Sequence, residues 1–234
     1  EKLMEAVAES EEALMEKYFE QGSLTDEEVT NGLSKAFSNG TVYPVFFGAA
    51  NKGIGVDCVL EAIVDFFPSP AGKTAKFYEG EVELNGKGSP KGIIFKVNSI
   101  PQFGEVYTFK LLQGEINEGA DIYNTSSSNF EKFGQLFYPR GKERFAVKSV
   151  AAGQIASTVK LKYSKTGDQF GSGKNDEVFP FQLITWPEAI VRGAFMGASK
   201  EDTDKVAGAI RKMMIEDASF KVVNDAELKQ LFVD

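Results

Sequence analysis

Residues 92–111 read GIIFKVNSIPQFGEVYTFKL, two runs rich in β-branched and aromatic residues with Pro101 and Gly104 between them. Such runs, bounded by proline and glycine, predict two strands joined by a turn. Further short runs of the same kind lie near residues 120–123, 132–137, 154–161 and 177–181. Because no helical pattern interrupts them, we expect a closed or nearly closed β-barrel of about 90 residues.

On the N-terminal side of this region, the pattern predicts helices and one strand. Thr25 followed by Glu28 is a capping box, which predicts a helix that Gly40 ends. A short buried strand is predicted over residues 42–47, followed by a helix that stops before Pro68. The face that this helix is expected to bury comprises Val56, Val59, Leu60, Ile63, Val64 and Phe67. This order is typical of an α/β domain, whose other strands we expect upstream of the first residue.

On the C-terminal side, residues 189–196 predict a strand, and Ser199 predicts the N-cap of a helix over residues 200–216. The face that this helix is expected to bury comprises Val206, Ala209, Ile210 and Met213. Two more strands are predicted near residues 220–223 and 228–233. Strand, helix, strand and strand form three quarters of a ferredoxin-like fold, so we expect the protein to continue beyond this chain.

The composition excludes several kinds of catalytic site. The 234 residues are 42% hydrophobic and 26% charged, which is ordinary for a soluble globular protein. There is no histidine and a single cysteine, Cys58. His-based nucleophilic catalysis, ordinary zinc sites and internal disulfides are therefore excluded, and we assign no catalytic residue and no metal site. The pattern favours a cytoplasmic protein with no membrane segment.

The net charge of −8 also limits the partners. Any contact with nucleic acid must come from a local basic patch, because the chain as a whole repels phosphate. The 20 phenylalanines could stack on bases, but most of them alternate with polar residues in strands, which favours core packing. Trp186, beside Pro187, is expected to pack the barrel against the following domain.

Three groups of strings occur in the same order as in elongation factor G and its relatives among the translational GTPases, and the chain resembles that family. They are AVAES (6–10), EKYF (16–19) and LTDEE (24–28); PVFFGAANKG (44–53) and VDFFPSP (64–70); and LQGEI (112–116), GADIYN (119–124) and IEDASF (215–220). The resemblance covers nearly the whole chain. The sequence YPRGKER (138–144) departs from the family's usual loop and is more similar to a divergent branch found beside the main factor in some bacteria.

The resemblance implies a multi-domain fold that combines α/β, all-β and α+β parts. Residues 1–70 would be the C-terminal part of a P-loop GTPase domain. Residues 71–186 would be a translation-factor β-barrel with a leading linker. Residues 187–234 would be the first part of an incomplete ferredoxin-like βαββ domain.

The motifs that bind GTP in this family are missing from the chain. The phosphate loop G-x-x-x-x-G-K-[ST] and the Asn-Lys-x-Asp motif do not occur, and no Asp-x-x-Gly switch is found in residues 1–70. The resemblance places the guanine-supporting signature at Gly48, Ala49 and Ala50, with Ala49 in place of the usual serine. A plain strand-to-helix turn is the alternative. GTP and magnesium are therefore expected for the intact parent, and we expect the chain itself to bind GTP weakly or not at all and to hydrolyse none.

The family's barrel contacts RNA of the small ribosomal subunit, and two basic clusters are candidates for that contact. The first comprises Arg140, Lys142, Arg144 and Lys148, and the second Lys160, Lys162 and Lys165. Alternation would place Lys160 and Lys162 on one strand face. A solvated barrel surface is the alternative interpretation of both clusters.

Three functions remain open from the sequence. The first is a part of a GTPase that promotes ribosomal translocation, to which this chain contributes binding and coupling modules but not hydrolysis. The second is a ribosome-binding relative that acts in ribosome protection, recycling or release. The third is a binding protein without an enzymatic parent. The sequence leaves the oligomeric state open, with a monomer expected.

Overall fold

The structure, a computed structural model, describes residues 2–70, 73–77, 80–100, 103–141, 143–174, 186–195, 197–217, 219–225 and 230–233. The chain divides into two compact units, Glu1–Ser69 and Pro70–Asp234. The α-helices are α1 (Lys2–Ala8), α2 (Glu12–Gln21), α3 (Asp26–Asn39), α4 (Val56–Phe66) and α5 (Lys200–Glu216). None of the described helices is long and apolar enough to cross a membrane.

Helix α3 of the first unit shows how the local sequence determines where a helix begins and ends. The Thr25 side chain accepts a hydrogen bond from the Glu28 amide, and the Glu28 carboxylate accepts one from the Thr25 amide at 3.0 Å. Gly40, with φ +71°, ends the helix in the left-handed conformation that glycine adopts without strain. The predicted capping box and helix end are confirmed. The core that the first three helices enclose comprises Val7, Ala8, Leu24 and Leu33.

The predicted strand over residues 42–47 is wrong. These residues form an extended loop, and Phe47 is 91% exposed. A strand needs a neighbour to pair its amides and carbonyls, and the described residues of this unit provide none.

The predicted burial of α4 is also wrong, although the helix itself is confirmed. All six residues of its predicted buried face are exposed, including Leu60 at 59% and Val64 at 82%, while Ala62 is buried. The helix meets α3 along one edge, where the Phe37 and Phe66 rings pack edge to face at 5.6 Å. Amphipathic spacing identifies an apolar face, but burial depends on whether another element covers it.

The second unit is mainly antiparallel β-structure. Its first twelve strands are β1 (Thr74–Phe77), β2 (Gly80–Glu83), β3 (Lys91–Ile100), β4 (Gly104–Gln113), β5 (Glu115–Asn117), β6 (Ala120–Asn124), β7 (Asn129–Phe133), β8 (Leu136–Arg140), β9 (Glu143–Val147), β10 (Ser149–Ala151), β11 (Ile155–Val159) and β12 (Gln169–Gly171). Eight of them form one sheet in the order β7-β6-β12-β3-β4-β11-β8-β9. Strands β1 and β2 pair separately, as do β5 and β10.

Within the described residues this sheet is a half-barrel with β7 and β9 as its edges, whereas a closed or nearly closed barrel was predicted. The two leading strands match the sequence prediction, and residues 101 and 102 of the predicted turn lie outside the described residues. The predicted strand over residues 132–137 is divided at Gly134 into β7 and β8, and the predicted strand over 177–181 lies outside the described residues. Strand β12 was not predicted, because three residues are too few to show a period.

The core of the half-barrel is aromatic and aliphatic. Phe109, Phe133 and Phe170 pack with ring centroids 5.0 to 5.6 Å apart, a favourable distance for aromatic pairs. The expectation that most phenylalanines pack in the core is wrong, however. Among the described residues four phenylalanines are buried, whereas nine are exposed.

After the half-barrel come α5 and three short strands, and the three strands form a small sheet. Ser199 caps α5 by accepting a hydrogen bond from the Asp202 amide at 3.1 Å, as predicted. The strands are β13 (Gly193–Phe195), β14 (Val222–Asp225) and β15 (Gln230–Val233), in the order β13-β15-β14 and all antiparallel. The first predicted strand is reduced to three residues.

The predicted face of α5 is partly wrong. Ile210 is buried and Val206 half-buried, but Ala209 and Met213 are exposed. The helix is rotated so that Ile215 packs against the half-barrel core.

Candidate nucleic-acid interface

A groove of about 920 Å³ crosses the outer face of the half-barrel. Side chains at every second position of a strand share a face, and the pairing places Thr108, Ser157 and Phe137 in one row across β4, β11 and β8. The Thr108 and Ser157 hydroxyls are 2.9 Å apart and satisfy each other. The aromatic and cationic side chains that line the groove are Phe95, Lys96, Phe103, Phe137 and Arg144.

Arg144 connects the charged and aromatic parts of this groove. Its guanidinium carbon lies 3.6 Å from the centroid of the Phe103 ring and 5.5 Å from that of Phe137. A guanidinium over a ring face gains roughly 0.5 to 2 kcal/mol and is held in one orientation. The side chain is half-buried. The groove therefore presents a fixed positive charge beside exposed aromatic surface.

The structure separates the members of the first basic cluster. In the β8–β9 hairpin, Pro139 is opposite Arg144, and Arg140 is opposite Glu143. Neighbouring residues of a strand point to opposite faces, so Arg140 lies on the other face, where its guanidinium is 5.7 Å from the Phe145 ring. Lys148 is exposed beyond the end of β9, and Lys142 lies outside the described residues.

The second basic cluster occupies a loop, so its prediction as part of a strand is wrong. Strand β11 ends at Val159, and Lys160 then adopts φ +65°, which turns the chain out of the sheet. Lys160, Lys162 and Lys165 are all exposed, and Leu161 is buried. Lys160 and Lys162 line one hollow of about 360 Å³ together with Lys132.

The carboxylate of Glu131 holds this loop. It accepts hydrogen bonds from the Lys162 and Tyr163 amides at 2.5 and 2.9 Å and from the Ser164 hydroxyl. Charge-assisted bonds of this kind are stronger than neutral ones and fix the backbone that carries the lysines. The Tyr107 hydroxyl adds a contact with the Leu161 carbonyl at 3.0 Å. Burial, and then the Glu105 carboxylate that the hydroxyl also contacts, raise the pKa of Tyr107, so the phenol stays protonated.

A buried polar network lies beneath the same loop. The Asn124 amide donates to the Ser164 hydroxyl at 3.0 Å and to the Asp168 carboxylate at 2.9 Å, and the Lys165 amide donates to that carboxylate too. The Asp168 amide donates to the Lys165 carbonyl, which closes a β-turn. Both carboxylates in this region therefore serve to shape the loop.

The turn at Gly48, Ala49 and Ala50 is closed by its own backbone. The Ala49 amide donates to the Ile54 carbonyl at 3.0 Å, and a Cβ on Gly48 would lie 2.7 Å from the same oxygen. Glycine is therefore needed here for backbone packing. Gly48 and Ala50 are exposed, and none of the three residues carries a polar side chain. The assignment of these three residues as a guanine contact stays a prediction.

The sequence analysis missed Phe95, Lys96 and Phe103 as members of the groove. The available signal was the position of Phe103 in the turn before Gly104, outside the alternation of either strand. Its 58% exposure is a consequence of that position. Within the described ranges, no group of three or more Cys, Asp or Glu side chains is placed to hold a metal ion.

Comparison with known proteins agrees with this fold. Residues 89–173 match the model of the family described as elongation factor G domain 2. The whole chain is similar to a crystal structure of a protein from Thermus thermophilus, with a TM-score of 0.76 and 26% sequence identity over 98% of this chain. The chain spans 33% of the length of that protein. Residues 89–173, which include most of the half-barrel, are therefore similar to elongation factor G domain 2, and the chain resembles elongation factor G-like translation factors.

Proposed function

We propose that the protein acts on the ribosome as an elongation factor G-like GTPase that promotes GTP-dependent translocation, and that this chain supplies its barrel and coupling modules. The observation that carries the proposal is the domain 2 match at residues 89–173. The similarity over 98% of the chain extends this support beyond the barrel. A cytoplasmic location and a monomeric state belong to the same proposal.

The partner proposed for the half-barrel is RNA of the small ribosomal subunit. A chain of net charge −8 needs a concentrated basic surface for this contact. Arg144 on the groove and Lys160 and Lys162 on the adjoining loop are exposed or half-buried cations on rigidly held backbone, which supports their role. Arg140 and Lys148, on other parts of the surface, are assigned to phosphates outside the groove.

Hydrolysis is not assigned to residues of this chain. In GTPases the phosphate-binding loops and Mg²⁺ stabilise the charge that develops during phosphoryl transfer to water. The sequence contains no G-x-x-x-x-G-K-[ST] run. The contribution proposed for Gly48, Ala49 and Ala50 is limited to backbone support of the guanine ring, within a GTPase domain of which residues 1–70 form the C-terminal part.

The barrel domain is proposed to extend over residues 71–186 and a third, ferredoxin-like domain to begin at 187. The order β13-β15-β14 supports this assignment, because the third strand lies between the two that α5 connects. That arrangement is the split βαβ connectivity.

The test is to measure how the purified chain binds small ribosomal subunits across a salt series. Arg144→Ala should weaken binding and lower the slope of log affinity against log salt by about 1, because one phosphate contact is lost. The matched control is Lys35→Ala in the first unit, which removes the same charge from an exposed ion pair and should leave the slope unchanged. An equal effect of both variants, or no binding by the unchanged chain, would contradict the proposed RNA contact.

A separate experiment tests which step on the ribosome the intact protein promotes. Ribosome-stimulated GTP hydrolysis together with translocation by the full-length protein is the expected result. Hydrolysis without translocation would instead favour ribosome protection, recycling or release, and the absence of both would favour a binding protein without enzymatic activity.

A further inference from the structure

Helix α5 is attached to the end of the half-barrel near the β3–β4 turn. The Glu216 carboxylate accepts a hydrogen bond from the Ser99 amide, and Ile215 packs against the half-barrel core. Residues four apart lie on the same face of a helix, so Lys212 faces the half-barrel one turn before Glu216. The attachment therefore brings a cation of α5 close to the half-barrel surface.

Lys212 and Lys160 line the same hollow, which has a volume of about 560 Å³ and lies against the β3–β4 turn. Neither lysine has an ion-pair partner within 4 Å among the described residues. The carboxylate that lines the hollow is Glu105, which already accepts a hydrogen bond from the Tyr107 hydroxyl at 2.9 Å. Two ammonium groups in one hollow repel each other, and an anion between them would remove that repulsion.

The backbone of Lys160 is an independent indication of function. Among the described non-glycine residues only Ser128 and Lys160 have positive φ, and lysine has no local reason to prefer that conformation. Such outliers persist where the surroundings hold them and are concentrated at functional sites. Here the hydrogen bonds from the following amides to Glu131 hold the loop and keep the Lys160 side chain at the hollow.

An aromatic ring adjoins the two lysines. Phe103 lines both this hollow and the outer groove, is 58% exposed, and has the Arg144 guanidinium 3.6 Å from its ring centroid. Exposed aromatic rings next to cations are the combination on which single-stranded nucleic acids stack their bases and place their phosphates. A free phosphate ion has no base and therefore would not stack on the Phe103 ring.

We propose that Lys160 of the half-barrel and Lys212 of α5 together bind one phosphate group of single-stranded RNA, whose neighbouring base stacks on Phe103. The choice of RNA rests on the proposed function, whereas the site itself rests on the geometry. Because the phosphate contacts both elements, its binding stabilises the attachment of α5 to the half-barrel, and the attachment in turn raises affinity for the RNA.

The test uses the purified chain and a fluorescently labelled ten-nucleotide adenosine RNA, with anisotropy measured across a salt series. Lys212→Ala should weaken binding about fivefold or more and lower the salt slope by up to about 0.7, since the shared phosphate loses one of its two cations. Lys160→Gly should do the same, and glycine keeps the positive φ so that the loop folds. The matched control is Lys205→Ala, which removes a 75% exposed cation from the same helix and should change affinity less than about twofold.

Two further measurements separate the parts of the proposal. Phe103→Ala should weaken binding of the RNA about fivefold or more and leave inorganic phosphate binding unchanged, because stacking is specific to the base. RNA should also slow hydrogen exchange of the Ser99 amide, which reports attachment of α5, and should alter the emission of Trp186, the single tryptophan of the chain. Trp186 lines a hollow together with Met214 and Ile215, beside the 165–168 turn of the half-barrel.

Several results would overturn the inference. If Lys212→Ala matched its control while Lys160→Gly weakened binding, the half-barrel alone would bind the RNA and no joint site would exist. If Phe103→Ala had no effect, the ligand would be a phosphate without a stacked base. If binding through both lysines were found but the chain did not bind small ribosomal subunits, the site would stand and the proposed function would fail.

Discussion

Glu28 is the residue whose titration is most strongly shifted in the first unit. The Lys17 ammonium, followed by the amide and hydroxyl of Thr25, donates hydrogen bonds to its carboxylate and lowers its pKa from 4.5 to about 2. A group with a lowered folded pKa stabilises the fold above its unfolded pKa, and that stabilisation is lost as the pH falls towards the folded value. The window for Glu28 therefore runs from pH 4.5 down to about 2.

We expect Glu28→Gln to reduce the pH dependence of unfolding of the first unit within that window, because glutamine does not titrate. Thr25→Ala should lower the free energy of unfolding by about 1 kcal/mol through loss of the cap. Both are measured by urea unfolding at a series of pH values. Glu27→Gln, in the first turn of the same helix but outside the capping box, is the control; if it acted like Glu28→Gln, the hydrogen bonds from Lys17 and Thr25 to the Glu28 carboxylate would not be the cause.

In the second unit, the Asn124 side chain contributes to stability through buried hydrogen bonds. It is fully buried, and besides its two donated bonds its side-chain oxygen accepts from the Ser127 amide at 2.9 Å. Asn124→Ala should lower the free energy of unfolding by roughly 2 to 4 kcal/mol, because it leaves buried polar groups without partners. Exposed Asn98→Ala should change it by less than about 0.5 kcal/mol. Equal losses in urea unfolding would contradict the role assigned to the network.

At the scale of elements, α4 combines a well-formed helix with an uncovered apolar face. The six apolar residues that were predicted to be buried are all exposed, and their spacing places them on one side of the helix. Patches of this kind on a soluble protein mark contact surfaces or sites of self-association. The helix owes its attachment to its edge contact with α3.

We expect the double change Leu60→Ser and Val64→Ser to alter the free energy of unfolding by less than about 1 kcal/mol, since both side chains are already in water. Binding of the dye ANS should fall at the same time. The contrasting variant is Leu33→Ala, 8% exposed in the core of the first unit, which should cost roughly 2 to 5 kcal/mol. A large loss from the serine pair would mean that another surface covers the face of α4.

At the scale of the molecule, the described residues form two separate hydrophobic cores. One is enclosed by α1 to α3, and the other lies in the half-barrel and receives Ile215 of α5. Each compact unit can therefore lose its packing on its own.

Calorimetry should accordingly resolve two unfolding transitions. Thr25→Ala should lower the midpoint of one, and Asn124→Ala the midpoint of the other. Emission of Trp186 should follow only the transition that Asn124→Ala moves, because this residue belongs to the second unit. A single transition displaced by both variants would show that the units unfold together.

The sequence alone was sufficient where a structural choice depends on a few neighbouring residues. The capping box at Thr25, the helix end at Gly40, the Ser199 cap and the two leading strands of the half-barrel follow from local hydrogen bonds and from side-chain period. These features need no distant partner to form. The resemblance to elongation factor G could be recognised from the sequence for a similar reason. It depends on short strings that occur in the same order as in that family.

Only the tertiary structure decided which side chains are buried and which distant residues lie close together. The apolar pattern of α4 marks a face, but the described residues leave that face uncovered. Arg144 and Phe103 are 41 positions apart, and Lys160 and Lys212 are 52 apart, so only the pairing of β3, β4, β11 and β8 and the attachment of α5 bring them together. Local preferences select helices and strands, whereas the contacts of a binding surface depend on which distant segments pack against each other.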